Sequence, residues 1–153
     1  MAFDITYGNG KFVAVGLDRI GYSSDGVTWT AANTSFDNPF NYYNCLKVTW
    51  GNGRFVAVGY SGFIAYSFDG VNWTAVVDNP FTTVSPNDFF TITWGGDMFV
   101  AGGGNTMGYS YNGINWTAIT TNMYIYDIAW GNNKFVACDG SNVTYSPIIY
   151  TLK

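Results

Sequence analysis

Apolar and polar positions along this chain alternate in short bursts that stop at glycine. Ile5-Thr6-Tyr7 alternates and Gly8-Asn9-Gly10 interrupts it; Phe12-Val13-Ala14-Val15 then runs apolar without a polar break. A period of two predicts a strand with one covered face. An unbroken apolar run too short for a helix predicts a strand covered on both. Gly-Asn-Gly predicts a tight hairpin turn, because Asn and Gly accept positive φ. A third strand ends at Tyr22-Ser23, Asp25-Gly26 makes the next turn, and Val27-Thr28-Trp29-Thr30-Ala31 supplies a fourth strand. No window carries the 3.6-residue period of a helix.

The pattern repeats. Ile5 to Gly16 returns as Val48 to Gly59, as Ile92 to Gly103 and as Ile128 to Asp139. The aligned glycines Gly8, Gly51, Gly95 and Gly131 stand 43, 44 and 36 residues apart. Tyr22 to Ala31 is matched by Tyr66 to Ala75 and Tyr109 to Ala118, whereas the fourth copy stops at Tyr145-Ser146 and departs into Pro147. Four antiparallel strands recurring at about 40 residues predict an all-β propeller. The expectation is one domain of about four four-stranded blades, at 1–44, 45–88, 89–124 and 125–153.

The segment Tyr-Ser-x-Asp-Gly-x-x-Trp resembles the Asp-box of sialidase-type β-propellers. It contributes Ser23, Asp25, Gly26 and Trp29 in the first copy, and Ser67, Asp69, Gly70 and Trp73 in the second. The third supplies Ser110, Asn112, Gly113 and Trp116, with Asn in place of Asp. The usual box has a residue between Asp and Gly; here the two are adjacent. The resemblance implies a structural role away from any catalytic centre: the Asp accepts backbone N–H groups, the Gly takes the left-handed conformation and the Trp packs between sheets.

Composition narrows the chemistry. Charged residues are only 10% of the 153, against about 25% in an average domain, and aromatic residues reach 20%. The chain has no His, no Glu and no Gln; its ten acids are all Asp. No Ser-His-Asp arrangement or imidazole metal site can be built from it. A sialidase would require three arginines and a Tyr-Glu pair, and only Arg19 and Arg54 are present, without any Glu. The expectation is a non-enzymatic protein with no cofactor and no metal. A net charge of -4 without a basic cluster argues against nucleic acid. No apolar run approaches the ~18 residues that span a bilayer. Met1-Ala2-Phe3-Asp4 has no basic or apolar leader character, so a cytoplasmic or virion-associated setting is expected. Cys45 and Cys138 are read as free thiols, Cys138 as a small core residue. Of the sequons at Asn33, Asn72, Asn115 and Asn142, two are the repeated Asn-Trp-Thr of the fourth strand, which strand chemistry explains better than glycosylation.

The repeats differ most in their connections. Trp29 to Trp50 and Trp73 to Trp94 each span 21 residues, Trp116 to Trp130 only 14. The two long connections share Asp37-Asn38-Pro39-Phe40 and Asp78-Asn79-Pro80-Phe81, and the first continues into Tyr42 and Tyr43. Aromatic faces stack on sugars or protein side chains, and carboxylates bond hydroxyls. Asp37, Phe40, Tyr42, Tyr43, Asp78 and Phe81 are therefore the candidate ligand-binding residues, with a protein or a glycan as partner. The composition resembles repeat proteins of phages and large viruses, which implies a virion structural or decoration role. A lectin with repeated inter-blade pockets is the alternative. An assembly factor like the photosystem-associated propellers is a third reading, although the basic patches of that class are missing. Four blades close a ring within one chain, which is the favoured expectation, or copies assemble as a homo-oligomer to complete a larger ring.

Overall fold

The computed structural model describes residues 1–17, 19–36, 45–81, 88–140 and 143–144. The first sheet is formed by β1 (Ala2–Gly8), β2 (Lys11–Gly16), β3 (Arg19–Ser23) and β4 (Thr30–Ala31), antiparallel in chain order. A short β5 (Asn33–Thr34) leaves it and pairs parallel with the outer strand of the second sheet. That second sheet holds β6 (Cys45–Gly51), β7 (Arg54–Gly59), β8 (Ile64–Ser67) and β9 (Asn72–Ala75). The third run is β10 (Phe89–Gly95), β11 (Met98–Ser110), β12 (Thr117–Gly131), β13 (Lys134–Asp139) and β14 (Val143–Thr144). The innermost strands β1, β6 and β10 and the second half of β12 stand side by side, so the sheets radiate like blades from one axis.

The hairpins form where the sequence places them. Asn9 and Gly10 take φ of 47° and 72°, Asn52 and Gly53 47° and 71°. Two positive φ values in a two-residue loop match the right-handed twist of the strands. The outer strand of the first blade is shorter than Val27–Ala31, because the N–H groups of Val27 and Thr28 are bonded to the Asp25 carboxylate instead of a ladder. The short third connection is also not a loop. The chain stays extended through β12, whose first part pairs with β11 and whose second part pairs with β13. One strand thus serves as the outer strand of one blade and the inner strand of the next. Each inner strand slips register at the same place, between Ala2 and Asp4, Cys45 and Lys47, Phe89 and Thr91, and Ile125 and Asp127. A bulge there bends the strand and re-aims the side chain of the extra residue.

The core lies between blades. Phe55 and Ala57 of β7 face the first blade with Val13 and Val15, while Val56 and Val58 face the third with Phe99 and Ala101. Met98 and Val100 pack on Phe135 and Ala137 of the fourth. The Phe and Ala positions of the second, third and fourth repeats therefore meet the preceding blade, and the Val positions of the first two repeats meet the following one. Burying each of these larger side chains contributes about 1.5–3 kcal/mol. Among the described residues no helix is long and apolar enough to cross a membrane.

Candidate functional site

The three Ser-x-Asp-Gly or Ser-x-Asn-Gly turns are built alike. Ser67 Oγ donates to Asp69 Oδ1 at 3.0 Å and accepts the N–H of Gly70 at 2.9 Å. Asp69 Oδ1 accepts Val71 N and Asn72 N, both at 2.8 Å, and Oδ2 accepts Asn72 Nδ2 at 2.8 Å. Ser23 and Asp25 repeat this, with Thr28 N at 2.7 Å from Asp25 Oδ1. The glycines Gly26, Gly70 and Gly113 sit at φ of 75°, 75° and 68°, a conformation other residues enter at a cost. Asn112 accepts the same two N–H groups, from Ile114 at 3.0 Å and Asn115 at 2.8 Å, so the substitution keeps the turn. The Ser110 hydroxyl lies 3.2 Å from Asn112 Oδ1 and, more closely, 2.6 Å from the Asn115 carbonyl.

These donors set the carboxylates' acidity. The N–H groups of Thr28 and Val27 and the Ser23 hydroxyl bring the Asp25 carboxyl down to about 2. At Asp69, partial burial works in the opposite direction but is outweighed by Asn72, Val71 and Ser67, and the carboxyl again falls to about 2. In both turns Oδ1 accepts two backbone N–H groups of its own turn, which favours the charged carboxylate.

The box tryptophans diverge. Trp73 is 2% exposed and donates its indole N–H to the Gly70 carbonyl at 3.2 Å. Trp116 is 9% exposed. Trp29, expected between sheets like the others, is 42% exposed, because no blade precedes the first among the described residues. It forms one wall of a shallow cavity of about 530 Å³ with Phe3, Ile5, Ala14 and Leu17.

The candidate ligand loops also divide. Asp37, Phe40, Tyr42 and Tyr43 lie outside the described residues. Asp78 is exposed. Phe81 is not a ligand residue on display: it is 2% exposed and packs edge-on against Phe89 at 4.8 Å and Trp116 at 6.4 Å. Asn79 turns it inward. Its Oδ1 accepts the Phe81 N–H at 3.0 Å, and its Nδ2 donates to the carbonyls of Val76 and Gly62. The loop thus plugs the core, since a buried phenyl ring contributes more than an exposed one.

A group absent from those candidates forms a cluster of contacting, partly exposed rings. Phe90 stacks on Tyr126, with ring centroids 6.3 Å apart and planes 18° from parallel, and lies 5.6 Å from Tyr124. Tyr124 and Tyr126 are 5.2 Å apart and remain 43% and 53% exposed. Phe90 and Tyr126 are the bulge residues of two adjacent inner strands, so the shared irregularity places both rings at one end of the blades. The sequence signal was there: each stands two residues before an aligned Ile, Ile92 or Ile128.

No protein-family model and no curated protein matches the chain. Solved structures do. Virginiamycin B lyase from Staphylococcus aureus aligns at a TM-score of 0.70 and 14% identity, over 92% of this chain and 50% of that one. YCF48 from Cyanidioschyzon merolae aligns at 0.63 and 18%, over 91% and 50%. A chain of the nidogen/laminin complex aligns at 0.61 and 12%, over 85% and 51%. This chain therefore spans about half the length of each. At such identities the likeness concerns the fold, and the fold it shows is that of a β-propeller.

Proposed function

We propose that this chain is a non-enzymatic binding module that uses a rigid propeller scaffold to present the Phe90, Tyr124 and Tyr126 rings to an extended peptide or protein segment. The observation that carries this reading is the cluster itself. Three rings within 6.3 Å of one another, two of them about half exposed, offer a large apolar contact whose geometry is fixed by paired strands. Such side chains lose little entropy on binding and dominate recognition surfaces. The absence of His and Glu supports a non-catalytic role. Among similar structures, YCF48 has been solved bound to a D1 peptide, and nidogen in complex with laminin. The charge-poor, Asn- and aromatic-rich composition supports a virion decoration setting.

The second reading is a lectin, since stacked tyrosines also suit apolar sugar faces. A peptide array and a glycan array probed with the purified chain separate the two. Peptide binding that Tyr124→Ala and Tyr126→Ala each reduce by about tenfold or more, with unchanged thermal stability, supports the proposal. Glycan binding lost in the same variants converts it to the lectin reading. Binding of either kind that ignores both substitutions overturns the site.

A further inference from the structure

Every junction between successive blades is made with the same two parts. The aromatic residue before the hairpin of one blade lies on the glycine before the hairpin of the preceding blade: Trp50 on Gly8, Trp94 on Gly51, Trp130 on Gly95. A Cβ on any of these glycines would run into the ring. At the first two junctions the hairpin Asn also donates to the box turn of the following blade, Asn9 Nδ2 to the Phe68 carbonyl at 3.2 Å and Asn52 Nδ2 to the Tyr111 carbonyl at 2.9 Å.

Among the described residues, each end of the array carries one unmatched half of this junction. Tyr7 stands at the position of the seated tryptophans, yet it is 57% exposed. Gly131 stands at the position of the seats, yet among the described residues no atom lies within 4 Å of a Cβ built on it. Around Tyr7 the face that is covered in later blades is open, with Ile5 54% and Trp29 42% exposed. Around Gly131 the exposed Asn132 occupies the place of the donors Asn9 and Asn52.

We infer that a second copy of this chain docks head to tail, seating Tyr7 of one copy on Gly131 of the other, and that two copies close one ring. The two faces are complementary because each is half of an interface the chain already makes with itself. A face that is not self-complementary associates heterologously, and such contacts either close or propagate. Two copies would match the length of a longer propeller chain, since 92% of this chain aligns with 50% of virginiamycin B lyase. The new junction would bring Asp127 toward Asp4, a like-charge pair that, among the described residues, only Lys47, beside Asp4, offsets. Asp127 accepts from Thr91 Oγ1 at 2.7 Å, and Asp4 accepts from Val48 N at 2.9 Å and pairs with Lys47 Nζ at 3.9 Å.

Light scattering and sedimentation on the full chain test this. The expected mass is about twice the 16.8 kDa of one chain. Gly131→Val fills the seat without meeting any described residue of its own subunit, and Tyr7→Ala empties the opposite half. Each is expected to weaken self-association about tenfold or more while the circular dichroism of the dilute chain stays unchanged. An equimolar mixture of the two variants retains one intact junction and is expected to recover a two-chain species. A wild-type mass of 16.8 kDa overturns the inference, as does a dimer indifferent to both substitutions or a mixture that stays monomeric. Should Gly131→Val fail to fold, Tyr7→Ala on the other face decides alone.

Discussion

The first and second blades carry nearly the same residues and meet very different surroundings. Phe12 and Phe55, Ala14 and Ala57, Trp29 and Trp73 occupy equivalent positions. Phe55 and Ala57 are 0% and Trp73 2% exposed, while Trp29 is 42% exposed and the side chains of Phe12 and Ala14 are half-buried. Each second-blade residue rests on the first blade, whose own equivalents have nothing described before them. The repeat therefore encodes a surface rather than a buried core; the neighbour turns it into a core. In a linear array of units that touch only adjacent units, stability is a sum over junctions, and the ends carry the deficit.

Three measurements break or sharpen this comparison, made in dilute solution where association adds nothing to stability. The largest effect is expected at the tryptophans. Trp73→Ala removes a buried ring and its indole hydrogen bond and should cost about 3–5 kcal/mol in urea unfolding. Trp29→Ala should cost under about 1 kcal/mol. Equal losses would show that the first blade's face is covered. The next effect is at the seats. Gly51→Ala forces a methyl into Trp94 and should destabilise by about 1–3 kcal/mol, whereas Gly131→Ala should stay within about 0.5 kcal/mol of wild type.

The smallest effect is expected in acid, where the box turns separate. Asp25 and Asp69 have folded-state values near 2, below the ordinary 3.8. Their contribution is complete above about pH 4 and fades as pH falls toward 2, because the unfolded chain takes up protons first. The third box has Asn112 and nothing to titrate. Asp25→Asn with Asp69→Asn should flatten stability between pH 4 and pH 2, as read by thermal midpoints across that range. An unchanged slope would place the acid sensitivity elsewhere.

The strands and hairpins were legible because their cause is local. Asn-Gly admits two positive φ values, and a four-residue apolar run between glycines has no room for a helix. What escaped had causes far along the chain. Phe81 sits in a loop of Asp, Asn and Pro, and the groups that show it plugs the core, Phe89, Trp116, Gly62 and Gly108, are brought against it from elsewhere in the chain. The continuity of β12 was hidden because its residues change partners halfway, so neither alternation nor length marks it as one strand. The Phe90–Tyr126 stack spans 36 residues and depends on register shifts in two separate strands, so the repeated aromatic position alone did not show that the rings meet. The Ser-x-Asp-Gly segment was legible as a turn, and the fate of the tryptophan that follows it was not, since identical residues were buried or bare according to position.

The ring-on-glycine seat also bears on how such a chain changes in length. Trp50, Trp94 and Trp130 all make the same contact, so a blade inserted at any of these joints brings its own ring and its own glycine and finds both counterparts waiting. Recombination between repeats can then add or delete a whole blade without redesigning an interface. Copy number becomes a heritable variable decoupled from packing, limited mainly by whether the resulting arc still meets its end.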